Sequence, residues 1–120
     1  SSGKIADPEL RNSITGHKMN DKAYQLTMRR SVEESASGKA PGAVSSMFKY
    51  YGTEQNKRRY ELLLSMMGTR AIGWGRGKSF SEYELETTRG WLRSKANSIE
   101  GGTSEVQLNI VAKRVLGLPD

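Results

Sequence analysis

Six consecutive residues concentrate the chemistry of this chain: Glu100, Gly101, Gly102, Thr103, Ser104 and Glu105. Two carboxylates flank two glycines and two hydroxyls. The glycines let another molecule approach the backbone closely. The hydroxyls stand where a helix begins, and the free N–H groups of a helix start suit an anionic or hydrogen-bonding ligand. A capped helix start that binds nothing carries the same residues, so the spacing alone leaves both readings open.

Other signals have plainer explanations. His17 is the one histidine, and Asp21 is the carboxylate one turn further on. A structural or surface role suits it better than catalysis. Gly73, Gly75 and Gly77 form a glycine loop, but without G-x-G-x-x-G spacing and without a P-loop lysine–serine pair. They read as a surface loop. Lys57, Arg58 and Arg59 are flanked by Glu54 and Glu61, which reads as a solvated helix face and not as a nucleic-acid footprint. Met66 and Met67 continue an apolar stripe and read as core.

These groups need elements to hold them. The first helix opens at Asp7-Pro8-Glu9, with Asp as N-cap and Pro in the first turn. Leu10, Ile14, His17, Tyr24 and Met28 keep one face inward, and the helix ends near Ser35 before a glycine- and proline-rich turn. The second starts near Ala43. Val44, Phe48, Tyr51, Gln55, Leu62 and Met66 make its stripe, and Gly68 caps it. Gly52, inside it, suggests close approach of another backbone. Residues 69–80 read as a loop. The third helix opens at Ser81 with Glu84 in capping-box register and follows Leu85, Thr88, Leu92 and Ile99. The fourth opens at Thr103 or Ser104, with Ser104 and Gln107 offering a second capping box. It buries Val106, Ile110, Val111 and Val115, and stops at Gly117 and Pro119. No strand is expected.

Composition narrows the classes. The 120 residues contain no cysteine, which excludes disulfides, thiolate metal sites and a cysteine nucleophile. One histidine excludes a multi-histidine metal site, so no metal is expected. The net charge of +6 permits an anionic partner. The apolar fraction, counted with Tyr and without Gly, is 35%, and the 13 glycines account for much of its distance from the ~45–50% of typical globular chains, a figure that counts Gly but not Tyr. The core should be thin, and some apolar surface should need a partner. No apolar run approaches the ~18 residues of a membrane span. Nothing after Ser1-Ser2-Gly3-Lys4 resembles a signal peptide. A reducing, cytoplasmic setting fits.

The segment from Asn97 to Pro119, NSIEGGTSEVQLNIVAKRVLGLP, resembles the C-terminus of flavin-dependent acyl-CoA dehydrogenases. The upstream order also fits: a helix, a Gly-Lys-Ala-Pro-Gly turn, then a long helix ending in Met-Met-Gly. The resemblance implies an all-α, up-and-down four-helix bundle over residues 1–120, with residues 1–6 as a tail. It implies a C-terminal fragment of a longer chain, inactive by itself. The family removes two hydrogens across the α and β carbons of an acyl-CoA thioester. A carboxylate takes the α-proton, FAD accepts the hydride, and electrons pass to an electron-transferring flavoprotein. Family members assemble as dimers or tetramers.

Position by position, the resemblance assigns Gly101 and Gly102 to the acyl thioester and Thr103, Ser104 and Glu105 to FAD. Ser65, Gly68 and Thr69 match the end of the second helix, which touches the flavin of a neighbouring subunit. Two departures stand out. The usual slot of the catalytic glutamate holds Gly101, with Glu100 one residue early. The usual glutamine and second glycine are Ser65 and Thr69. The base therefore lies upstream of this chain, or Glu100 acts from a shifted position. A non-catalytic subunit supporting a catalytic partner is the alternative, and a basic helical nucleic-acid-binding module is a weaker one.

Overall fold

The computed structural model describes residues 5–38, 42, 44–75, 77 and 79–119. Four α-helices follow in order: α1 (Pro8–Ala36), α2 (Val44–Met67), α3 (Glu82–Asn97) and α4 (Ser104–Ile110). There is no strand among the described residues. Each start has a local cause. The Asp7 carboxylate accepts from the N–H groups of Glu9 and Leu10 and opens α1. Ser81 and Glu84 close a reciprocal capping box on α3. Thr103 accepts from the Val106 N–H and opens α4.

The chain differs from expectation in several places, among them Met28, Met66, Leu92 and Ile99, which read as core or inward-facing and are exposed. After Gly68 (φ +55) it does not fall into a loop but winds a 3₁₀ turn over Gly68–Ile72. The Thr88 hydroxyl donates to the Ala71 carbonyl and ties that turn to α3. Gly52 answers a side chain, not a backbone: a Cβ there would meet the Tyr24 hydroxyl at 2.6 Å. The face of α4 is rotated. Gln107 is buried while Val106 and Val115 are about half exposed. Ser104 therefore forms no second capping box, because the Gln107 amide instead donates to the Gly101 carbonyl at 3.1 Å. Finally, α4 widens into a π-helical turn over Val111–Val115 and ends at Gly117 (φ +66).

The centre of the molecule is α2, which packs against α1, α3 and α4, while α1 meets no other described element. Two successive pairs, α1 with α2 and α2 with α3, run antiparallel. Tyr24 of α1 packs on Phe48 and Tyr51 of α2 with ring centroids 5.9 Å apart in both pairs. At the other end of α2, Lys95 of α3 pairs with Glu61, and a Cβ on Gly90 would meet the Tyr60 ring at 2.6 Å. The radius of gyration is 18.2 Å, against about 13.6 Å for a compact domain of this length. The bundle is correspondingly open. Leu85 is its one fully buried apolar residue among those described, and Met19, Leu26, Val32, Leu92, Ile99 and Leu116 are exposed. The thin core and uncovered apolar surface match what the composition implies.

Candidate functional site

The turn between α3 and α4 is held from three sides. Gly101 (φ +66) and Gly102 (φ +96) bring the chain back on itself in the left-handed region. The Ser104 N–H closes the turn on the Ser98 carbonyl at 3.1 Å. From α2, the Lys49 ammonium donates to the carbonyls of Asn97 (3.1 Å) and Gly102 (2.6 Å). Asn56 donates to the Asn97 side chain at 3.0 Å. Lys57 donates to the Ser98 hydroxyl at 3.2 Å and pairs with Glu54 at 2.6 Å.

The two carboxylates are both held as anions. Glu100 accepts from Arg93 at 2.9 and 3.2 Å and from the Asn97 amide at 2.7 Å. The Arg93 hydrogen bonds first, then that of Asn97, push its carboxyl below the usual range. Glu105 is lowered too, first by its own backbone N–H and then by the Thr103 hydroxyl. A general base works best with a pKa near the operating pH. A lowered, doubly hydrogen-bonded Glu100 is poorly tuned for that task.

Beside the turn lies a groove of about 380 Å³ between α2 and the start of α4. Tyr50, Glu54 and Lys57 line one wall, and Ser98, Thr103 and Ser104 another. The Ser104 hydroxyl is buried there with no partner among the described residues. Among those residues nothing accepts from the N–H groups of Gly101, Gly102 or Thr103 either. Of these, Thr103 and Ser104 line the groove, together with the carboxylates of Glu54 and Glu105, while Gly101 and Gly102 lie outside its lining; the orphaned hydroxyl and the free Thr103 N–H can hydrogen-bond a polar group there.

The structure brings Glu100, Gly101, Gly102, Thr103, Ser104 and Glu105 together. It keeps Ser65, Gly68 and Thr69 apart from them. About 27 Å of helix separate Lys49 from Met67 at ~1.5 Å per residue. Ser65 instead borders a cleft of about 360 Å³ between α1 and α2, together with His17, Gln55 and Arg58. His17 makes no bond to Asp21, which accepts from Gln25. The glycine loop from Gly73 lies partly outside the described residues. Within it, Gly73 packs on the Phe80 ring. The supporting residues Lys49, Asn56 and Arg93 were not singled out from sequence. For Lys49 and Asn56 the signal is a polar strip at 49, 53, 56 and 57 on α2, and Arg93 on α3 has none of that kind. Lys57, read as solvated, belongs to that strip.

The family description "Acyl-CoA dehydrogenase, C-terminal domain" matches residues 3–116. The chain belongs to that family. It is 31% identical over 97 residues to the acyl-CoA dehydrogenase FadE34 of Mycobacterium tuberculosis, covering 81% of this chain and 12% of that protein. It is 39% identical over 59 residues to the acyl-CoA dehydrogenase IpdE1 of Mycolicibacterium smegmatis, covering 49% of this chain and 14% of that one. No solved structure gives a significant match. The chain thus spans only a small part of the curated relatives it matches.

Proposed function

We propose that this chain is the C-terminal helical domain of an FAD-dependent acyl-CoA dehydrogenase that converts an acyl-CoA thioester to its 2-enoyl-CoA. The observation that carries the reading is the family match over residues 3–116, which includes a turn where the N–H groups of Gly101, Gly102 and Thr103 and the Ser104 hydroxyl lack partners among the described residues. In this reading FAD accepts the β-hydride, and the residues of this chain bind and orient. The Gly101 N–H polarises the thioester carbonyl, which acidifies the α-proton. Thr103, Ser104 and Glu105 meet the flavin dinucleotide. Ser65, Gly68 and Thr69 face the flavin of a second copy, which accounts for their distance from the turn. Electrons leave to an electron-transferring flavoprotein in the cytoplasm. Glu100, engaged by Arg93 and Asn97, orients the turn, and the base stands outside this chain.

The test uses the polypeptide with all the sequence its gene encodes. Retained FAD and acyl-CoA-dependent dye reduction support the reading. Absence of both, with or without a co-expressed partner, overturns it. In the same protein Glu100→Gln keeps kcat within a few-fold. A loss of ~10²-fold or more would make Glu100 the base. The second reading, a non-catalytic subunit, is favoured by the glycine in the base slot. It requires flavin or turnover to appear only with the partner present.

A further inference from the structure

We propose that Lys49 is the positioning residue of this turn: its ammonium joins the carbonyls at the two ends, and so fixes which backbone groups the turn presents. The case rests on where the carbonyls go. Ala96 accepts from the N–H groups of Ile99 and Glu100, and Ser98 accepts from that of Ser104. Gly101 accepts from the Gln107 side chain. Of the other carbonyls, Lys49 takes those of Asn97 and Gly102, and those of Ile99 and Glu100 have no partner among the described residues. Over Gly101, Gly102 and Thr103 every carbonyl is therefore engaged from inside the protein, while the N–H donors of the same three residues have no partner among the described residues. That stretch, with its acceptors engaged and its donors free, presents one polarity, and that polarity selects anionic or carbonyl ligands over cations.

A lysine suits this task. Its ammonium offers three donors and no acceptor, on a stem long enough to reach the turn from α2. It reaches the two carbonyls across 48 and 53 residues of sequence. No local hydrogen bond reproduces that link. Glu100, within the same turn, is drawn further into its anionic form by the Lys49 charge, after the larger effects of Arg93 and Asn97. Removing Lys49 frees the Gly102 carbonyl to rotate outward and mix an acceptor into the donor face.

The lock is independent of any flavin. Its consequence for ligands rests on the function proposed above, and the experiment separates the two. In this chain, amide hydrogen exchange is measured for Lys49→Met, Lys49→Arg and, as a control whose ammonium reaches Glu61 and not the turn, Lys95→Met. Lys49→Met speeds exchange at Glu100 and Ser104 at least tenfold and changes Leu85 and Ser94 less than twofold. Lys49→Arg, which keeps donors and charge, restores half or more of that protection, and Lys95→Met leaves the turn alone. Unchanged exchange at Ser104, or no rescue by arginine, overturns the proposal. Should Lys49→Met fail to fold, the unmutated chain decides. A scalar coupling between the Lys49 Nζ and the Gly102 carbonyl carbon upholds the lock, and its absence overturns it. In the polypeptide with its full coding sequence, Lys49→Met then weakens acyl-CoA or FAD binding about tenfold. A loosened turn with unchanged binding upholds the lock and refutes the ligand role of the turn.

Discussion

The two flanks of α2 are built from different materials. Toward α3 and α4 the contacts are directional. Lys49, Asn56 and Lys57 reach specific atoms of residues 97, 98 and 102, and Lys95 reaches Glu61. Toward α1 the contacts are mainly rings. Tyr24 lies against Phe48 and Tyr51, and its hydroxyl donates to the Phe48 carbonyl at 3.2 Å. Beyond the rings, the cleft between α1 and α2 leaves both polar atoms of Gln55 and the Nδ1 of His17 buried without partners among the described residues. Hydrogen bonds specify one geometry, because leaving a buried donor or acceptor unmade is expensive. Ring packing tolerates small shifts. The first flank is suited to fixing a site, the second to accepting a further surface.

The largest test of this contrast is in the core. Leu85 on α3 is 2% exposed and Leu26 on α1 is 53% exposed. Leu85→Ala should cost ~2–5 kcal/mol in urea unfolding. Leu26→Ala should stay within ~0.5 kcal/mol. Similar losses at both positions would remove the distinction between the flanks.

Next come the two turn glycines. At Gly102 the backbone is left-handed, and a Cβ would sit 2.6 Å from the Gln107 amide nitrogen that bonds the Gly101 carbonyl. At Gly101 the backbone is left-handed too, but the space around a Cβ is open. Gly101→Ala therefore costs the conformational penalty alone, ~1–2 kcal/mol. Gly102→Ala adds displacement of Gln107 and should cost more, on the order of 2–3 kcal/mol. Equal unfolding free energies for the two variants would mean that Gln107 does not brace the turn.

What the sequence disclosed of this arrangement was whatever is encoded within one helical turn. Asp7, Ser81 with Glu84, and Thr103 announce helix starts because a cap and its N–H partners lie two or three residues apart. The left-handed glycines at 68 and 117 mark stops for the same reason. The bridge from Lys49 to Gly102 could not be read that way, since its partners meet only after α2 and α3 have packed. Nor could the buried face of α4. A helix of 7 residues is too short for periodicity to decide, and the tertiary bond from Gln107 outweighs the apolar pattern at Val106. The 3₁₀ turn after Gly68 was hidden because a terminating glycine marks where an α-helix stops and leaves the conformation of the next residues open.

Acid sharpens the comparison further. Arg70 donates to Glu84 through two nitrogens, each at 2.7 Å, and the Ser81 N–H adds a third bond. Chiefly through Arg70, the Glu84 carboxyl is lowered from 4.5 to about 2. A depressed carboxyl stabilises the fold fully above its unfolded pKa and loses that effect as pH falls through the folded one. The start of α3 should therefore weaken between about pH 4.5 and about pH 2. Glu84→Gln should flatten that part of the acid titration followed by unfolding. A titration unchanged by the substitution would show that the pair with Arg70 does not secure α3.

The smallest effect belongs to the outer face of α1. Arg29 and Glu33 lie one turn apart at 2.8 Å, with side chains 77% and 63% exposed. Two long side chains in water lose rotamer freedom to meet, and solvent screens most of their attraction. Glu33→Gln should therefore change stability by only ~0.3–0.5 kcal/mol, and less in high salt. The result is informative because the chemistry resembles that of Arg70 with Glu84 while the setting does not. The inner pair is reinforced by a helix cap and by the Phe80 ring under the Arg70 guanidinium at 5.1 Å. A Glu33→Gln loss as large as that of Glu84→Gln at neutral pH would mean that α1 is held from a second side. The outer face of α1 would then be covered in solution by another copy of the chain, which light scattering on the same samples would register as a dimer.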